Sequence, residues 1–210
     1  MKADAGYRAA KRMLDLALAI VLLIVLLPVF IVIALAIQLE SPGPVVYEQS
    51  RAGYRGRIFR MLKFRTMRPD RRVRCLPIDF PDRRRSLKVR NDPRLTRVGR
   101  YLRRASADEL PQLVNILRGE MSFVGPRPEL LELVEQYRVT HYLRHAVTPG
   151  LTGWWQVHGR CARRDGCDPQ EDLTTKLVDD QYYIAHRSLR LDLRILLLTV
   201  PVVLRGHGAM

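Results

Sequence analysis

From Leu16 to Ile37 the chain runs for 22 residues without a charge, LALAIVLLIVLLPVFIVIALAI. That is longer than the run of about 18 that marks a membrane helix. Pro28 stands near its middle. Proline removes a backbone donor and clashes with the preceding turn, so a kink or break is expected there. Each arm is then about 18 Å long at roughly 1.5 Å per residue, short of a hydrocarbon core of about 30 Å. The run is too long for a cleavable signal peptide, and no small-residue cleavage site separates it from the Ser41-Pro-Gly-Pro turn.

Beyond that turn the apolar positions change period. PVVYEQ (44–49) and RIFRMLKFRTM (57–67) space β-branched and aromatic residues as short strands do. Residues 69–90 show little periodicity and much charge, and read as a basic loop. Ser106 followed by Glu109 predicts a capping box opening a helix through Leu117. Pro126-Arg127-Pro128 forces extended backbone ahead of an amphipathic helix over 129–143. TPGLTGWWQVHGR (148–160) predicts a glycine-punctuated loop with a short strand, and 173–187 a further helix. The stretch 188–206 is apolar after Arg194, but Pro201 and its length argue for an interfacial helix rather than a span. No internal repeat is present. The expected fold is α+β and mostly helical: a kinked, re-entrant membrane helix (1–40), then a compact basic domain (41–210) with interfacial helices and a few short strands.

Charge sharpens this picture. The net charge is +15, and between Arg51 and Arg104 there are 20 Lys/Arg against four acids, Asp70, Asp79, Asp82 and Asp92. Such a block implies a polyanionic partner: nucleic acid, an anionic membrane surface or phosphorylated substrates. Lys2, Arg8, Lys11 and Arg12 precede the apolar run, and Arg51, Arg55, Arg57 and Arg60 follow it. Both flanks therefore favour the cytoplasmic side. A helix that enters, turns at Pro28 and leaves on the same face satisfies both; a kinked single span is the alternative. Cys75, Cys161 and Cys167 form no disulfide framework, and His158 with Cys161 and Cys167 lacks a fourth zinc ligand.

The candidate chemistry lies in RASADELPQLVNILRGEMSFVGPRP (104–128). Asp108 and Glu109 have two readings. They can be first-turn acids set against a helix dipole, or carboxylates held where an anion arrives. Successive helical residues point about 100° apart, so one acid can face a site while the other orients a ligand or handles protons. Arg103 and Arg104 lie just upstream, and Arg127 stands on stiff backbone between two prolines. Guanidinium forks suit phosphate, and a carboxylate among them, with a divalent metal, suits phosphoryl transfer.

The blocks SPGPVVYEQSRAG, RMLKFRTM, DELPQLVNILRGEMSFVGPRPE, TPGLTGWWQVHGR and LDLRILLLTVPVVL, in this order, resemble the bacterial sugar transferases, monotopic polyprenyl-phosphate phosphoglycosyl transferases. The resemblance runs from about Lys11 to Leu204. It implies a re-entrant helix broken near Leu27-Pro28 and a catalytic domain on the cytoplasmic face of the bacterial inner membrane. It also implies that Asp108 attacks the β-phosphate of a UDP-sugar, with Glu109 beside it as the second catalytic acid. UMP then leaves, and polyprenyl phosphate takes the phosphosugar from the enzyme. The family's Mg2+ would be associated with Asp108. Lys63, Arg65, Arg103 and Arg127 become phosphate-binding candidates, and Gln156 and Arg160 candidates for the nucleotide-sugar site. The implied partners are a UDP-sugar, undecaprenyl phosphate, anionic lipids and a second copy of the chain as a homodimer, with no nucleic acid. The chain would be the minimal catalytic form, without the spans and domain that precede this region in longer members.

Two positions depart from the family pattern: Leu27 where serine is usual before the break proline, and His158 where asparagine is usual. The stretch 161–175 also follows the pattern poorly. Three rival readings have distinct signatures. A membrane-tethered nucleic-acid binder built on 51–104 predicts salt-sensitive binding independent of Asp108. A non-catalytic scaffold predicts no turnover. A true glycosyltransferase would release UDP rather than UMP.

Overall fold

A computed structural model describes residues 2–68, 94–134, 139–158 and 169–204. The expected basic loop 69–90, the three cysteines and Arg160 lie outside the described residues. Helix α1 (Lys2–Val25) and helix α2 (Leu27–Glu40) meet at Leu26, where the axis bends by 61°. The bend precedes Pro28 because the proline ring collides with the turn before it, and Pro28 then occupies the first turn of α2, where its missing N–H costs nothing. Main-chain bonds from Leu26 N to Leu22 O and from Phe30 N to Leu26 O, both 2.9 Å, carry the ladder across the bend. Leu27 is 57% exposed, so the bend forms here without a serine hydroxyl. Among the described residues no single helix is long and apolar enough to cross a membrane; the bent pair together has the length and composition.

The chain continues through strands β1 (Val46–Ala52) and β2 (Ile58–Phe64), helix α3 (Arg97–Arg104), a 3₁₀ turn (Ala107–Glu109) and helix α4 (Gln112–Arg118). Strand β3 (Ser122–Val124), short helix α5 (Leu131–Val134), a 3₁₀ stretch (Val139–Ala146) and strand β4 (Gly150–Thr152) follow. Helices α6 (Trp154–His158), α7 (Pro169–His186) and α8 (Leu189–Leu204) complete the described chain. The fold is α+β and mostly helical, as expected. The strands expected at 44–49 and 57–67 form the antiparallel pair β1–β2, with Val46 opposite Phe64 and Ala52 opposite Ile58. Of the helix expected over 129–143, the described residues 131–134 are α-helical, while 139–146 is wound as 3₁₀. β-Branched Val139 and Thr140 favour α-helix poorly, which accounts for part of this.

Helix α1 belongs to the principal core. Its Ala19 is fully buried among Phe59, Leu113, Ile116, Phe123, Tyr183 and Ile195. Arg12 donates to the carbonyls of Ile116 (2.6 Å) and Leu117 (2.8 Å), two last-turn acceptors of α4. Asp15 accepts the Phe123 amide at 3.1 Å. A second cluster, Ile33, Ile37, Phe64 and Leu102, joins α2 to the end of β2 and to α3. Inside the domain, Asn115 of α4 completes the free edge of β2. Its Oδ1 accepts Leu62 N (3.0 Å) and its Nδ2 donates to Arg60 O (2.7 Å).

Helix α3 is fixed at its start from two sides. Thr96 Oγ1 accepts the Gly99 amide (2.8 Å), and the Glu40 carboxylate at the end of α2 accepts the amides of Arg97 (2.6 Å) and Val98 (2.8 Å). Only glycine fits at position 99, because a Cβ there would stand 2.1 Å from the Thr66 carbonyl oxygen. Glu40→Ala removes the acceptor for two helix-initial amides and is expected to cost about 1 kcal/mol, the usual size of a lost N-terminal cap. Urea denaturation read by circular dichroism measures it.

Candidate active site

Helix α3 ends at Ala105, and Ser106 then adopts a left-handed conformation, φ 54° and ψ 17°, which turns the chain into the 3₁₀ turn Ala107–Glu109. A non-glycine residue there is strained by about 1 kcal/mol, and such strain gathers at functional sites. The capping box expected from Ser106 and Glu109 is absent. Ser106 makes no side-chain cap, and helix α4 starts only after Pro111. The left-handed Ser106 cannot serve as a cap, and Glu109 is drawn elsewhere.

Glu109 is held by two cations. It accepts Lys63 Nζ from β2 at 2.9 Å and Arg127 Nη1 at 3.3 Å, and Arg127 Nη2 closes a second bond to the same carboxylate. Burial alone would raise this carboxyl, but Arg127 and Lys63 outweigh it and hold it far below the ordinary range. Arg127 is raised in turn, chiefly by Glu109.

Asp108 is different. It makes no hydrogen bond or ion pair with the described residues. Burial, then the charge of Glu109, raises its carboxyl above the ordinary aspartate value, against the pull of Lys63, Arg103 and Arg127. Of two adjacent acids, one is ionised and pinned, and the other is uncommitted within a ring of cations.

The structure gathers Lys63, Arg103, Arg127, Asp108 and Glu109 into one cluster. Arg103 of α3 donates from Nε to Thr66 Oγ1 at 3.0 Å, which keeps its remaining guanidinium donors near the pair. Arg65 stands apart from this cluster. It is 7% exposed and donates to Pro42 O (3.0 Å) and to the carbonyl and hydroxyl of Ser41, so its fork is spent on the chain leaving α2. Strand alternation would put Lys63 and Arg65 on one face, but β2 ends at Phe64, so Arg65 already follows the chain out of the strand, toward Ser41 and Pro42. Gln156, on α6, is 4% exposed, and its amide meets no hydrogen-bond partner among the described residues. Thr66 and Arg144, whose guanidinium reaches the Arg127 carbonyl, were not expected from sequence; Thr66 sits in a stretch read as strand and Arg144 just past one read as helix, with no motif to single them out.

Glu109→Gln frees both cations to fall onto Asp108. Displacements of this kind cost about 10²-fold in turnover. Stability at pH 7 should fall by about 2 kcal/mol, the value of charge-assisted hydrogen bonds. Because the folded carboxyl is depressed, its contribution is fully present above the ordinary value near 4.5 and is lost as pH falls through the depressed one. Denaturation curves of the two proteins should therefore converge in strong acid and separate at neutral pH.

Fold and cluster together define a bacterial sugar transferase: residues 6–206 match the model of that family, and the chain belongs to it. Among its relatives, the UDP-glucose:undecaprenyl-phosphate glucose-1-phosphate transferase of Caulobacter vibrioides is 45% identical over 202 residues, 95% of this chain and 71% of that protein. An Escherichia coli K12 protein with the same descriptive name is 41% identical over 196 residues, 92% of this chain and 40% of its own length. The exopolysaccharide production protein ExoY of Rhizobium meliloti is 39% identical over 208 residues, 95% of this chain and 88% of its own. The chain spans 35–43% of the length of several curated relatives it matches.

Proposed function

We propose that this chain transfers a sugar 1-phosphate from a UDP-sugar to polyprenyl phosphate and releases UMP. The observation that carries the reading is the division of labour between Asp108, uncommitted, and Glu109, pinned between Lys63 and Arg127. The names of the relatives supply the substrate class. An Asp108 oxygen attacks the β-phosphorus of the donor. The bond from that phosphorus to the bridging oxygen breaks, and its electron pair leaves with UMP. An oxygen of polyprenyl phosphate then attacks the same phosphorus, which expels the Asp108 carboxylate and leaves polyprenyl diphosphate sugar. Lys63, Arg103 and Arg127 balance the phosphate charge that gathers in both steps. Glu109 fixes two of those cations without offering a second free carboxylate. Gln156 and Arg160 remain candidates for the nucleotide-sugar end.

A single uncommitted carboxylate, with phosphate oxygens completing the shell, suits Mg2+, which keeps several waters and takes one or two carboxylates. Asp108 is the residue that would hold it, and the ion would supply further charge neutralisation at the diphosphate.

The bent pair α1–α2 supports a re-entrant placement on the cytoplasmic face of the inner membrane. Val21, Ile24, Val25, Val32 and Leu35 are exposed on its arms, and both flanks are basic. Helix α8 exposes Leu193, Leu197 and Val200, with Arg190 and Arg194 beside them, as an interfacial helix does. The test is nucleotide release by the detergent-purified protein with magnesium and undecaprenyl phosphate. The donors are UDP-glucose, UDP-galactose and UDP-N-acetylgalactosamine, sugars carried in the relatives' names. UMP formed only with the lipid phosphate supports the reading. UDP as the product would overturn it, because the sugar–oxygen bond would then be the one broken.

A further inference from the structure

The segment 126–129 places Arg127, and each of its carbonyls has a holder. Pro126 O accepts Gly150 N (2.9 Å), Pro128 O accepts Arg51 Nη1 (3.3 Å), and Glu129 O accepts Ala52 N (3.3 Å). The carbonyl of Arg127 itself accepts Arg144 Nη2 at 3.2 Å. Arg144, on the 3₁₀ stretch 139–146, is 5% exposed, and its guanidinium makes two further contacts, one within the segment 126–129 and one to α7. Nη1 donates to Glu129 Oε1 at 3.3 Å, and Nε lies 2.6 Å from Asp180 Oδ2 of α7, a charge contact without hydrogen-bond alignment. Asp180 is 2% exposed. Burial pushes its carboxyl up to about 6, against the pull of Arg144.

From these contacts we infer that Arg144 is a positioning residue: anchored on Asp180, it fixes the main chain at Arg127 and thereby sets where the Arg127 guanidinium stands against Glu109 and Asp108. A buried ion pair is weak evidence for stability, since apolar residues of the same volume pack as well. What apolar residues cannot supply is a donor to the Arg127 carbonyl. Lysine cannot supply all three contacts either. Its single ammonium on a flexible stem has no planar fork to reach Asp180, Glu129 and the carbonyl together. Arg144 touches no reacting atom; it acts through Arg127. The kinetic consequence rests on the function proposed above, whereas the geometric claim is read independently of it.

The test uses the full chain carrying Arg144→Lys, with Asp180→Asn as a second variant, and two readouts. The first is labelling by phenylglyoxal, followed peptide by peptide in mass spectrometry, with exposed Arg104 as internal reference. Arg127 should label at least about threefold faster than in the parent protein once its backbone is released, with Arg104 unchanged. The second is a double-mutant cycle with Arg127→Lys on kcat/KM for UMP release. Arg144→Lys alone should lower kcat/KM about tenfold, and should add almost nothing in the Arg127→Lys background, because coupled residues are non-additive. Parent-like labelling of Arg127 in both variants would overturn the inference, as would losses that multiply in the double variant. If Arg144→Lys does not fold, labelling of Asp180→Asn decides. If the parent protein releases no UMP with any donor, the proposed function fails, and labelling alone decides the positioning claim.

Discussion

Asp108→Asn is expected to abolish UMP release and to leave the protein as stable as before, or slightly more so. Loss of a nucleophile costs at least about 10⁴-fold where a covalent intermediate is obligatory, because no neighbour can take over the bond. Glu109 is no substitute, since both its oxygens are engaged by Lys63 and Arg127. The stability half follows from the raised carboxyl. An aspartate whose folded value lies above its unfolded value is more costly to ionise in the native state, so stability falls as pH rises through that interval. Asparagine removes this cost and breaks no hydrogen bond or ion pair with the described residues. Inactive protein with an unchanged or higher melting temperature is the expected result. Inactive protein that melts far earlier would instead mark Asp108 as structural.

The largest stability effect is expected elsewhere, at Asp192. This carboxylate is 1% exposed and accepts three donors: Tyr7 Oη (2.9 Å), Lys11 Nζ (2.9 Å) and Tyr183 Oη (2.8 Å). Burial raises both tyrosines, so they remain neutral O–H donors throughout the accessible pH range. Asp192→Ala removes the ion-pair partner of Lys11, which is 14% exposed there, and takes from Tyr7 and Tyr183 their shared carboxylate, leaving Tyr183 only the Val124 carbonyl. Breaking a buried pair on one side costs about 3–5 kcal/mol. For a chain of this size that is a fall in melting temperature of roughly 6–20 °C. Lys11→Met should cost less, because Asp192 keeps both tyrosines. Differential scanning fluorimetry of the two variants in the same detergent gives the comparison, and equal losses would mean the tyrosines contribute nothing.

Much of this was legible along the chain. The break near Pro28, the hairpin and the last two helices follow from apolar period and proline chemistry, which are local. The acidic pair and Arg127 were legible from residue type and order. The capping box failed because Ser106 is left-handed and the cations of β2 and residues 126–128 outbid the backbone for Glu109, a competition decided in three dimensions. The partners of Arg65 were not legible for a similar reason: a strand ends one residue before it, and Ser41 and Pro42 lie 24 and 23 positions away. The parallel pair β3–β4 is too short to leave a periodic signal. Its close packing shows instead in glycines, since a Cβ on Gly150 would stand 2.1 Å from Gly125 N.

Helix α4 carries a consequence of its own. It begins at Gln112, just past Leu110 and Pro111 from the acidic pair, and its last-turn carbonyls are gripped by Arg12 of α1. Seven residues rise about 10 Å, so α4 is a ruler laid between Arg12 of α1 and the acidic pair. On the function proposed above, polyprenyl phosphate is the acceptor and stays at headgroup depth, so the length of this one short helix would set the height at which Asp108 meets it. A single inserted residue would lift the carboxylate by about 1.5 Å and swing it through about 100°. Beyond the side chains that α4 packs into the core, its length is therefore itself a constraint.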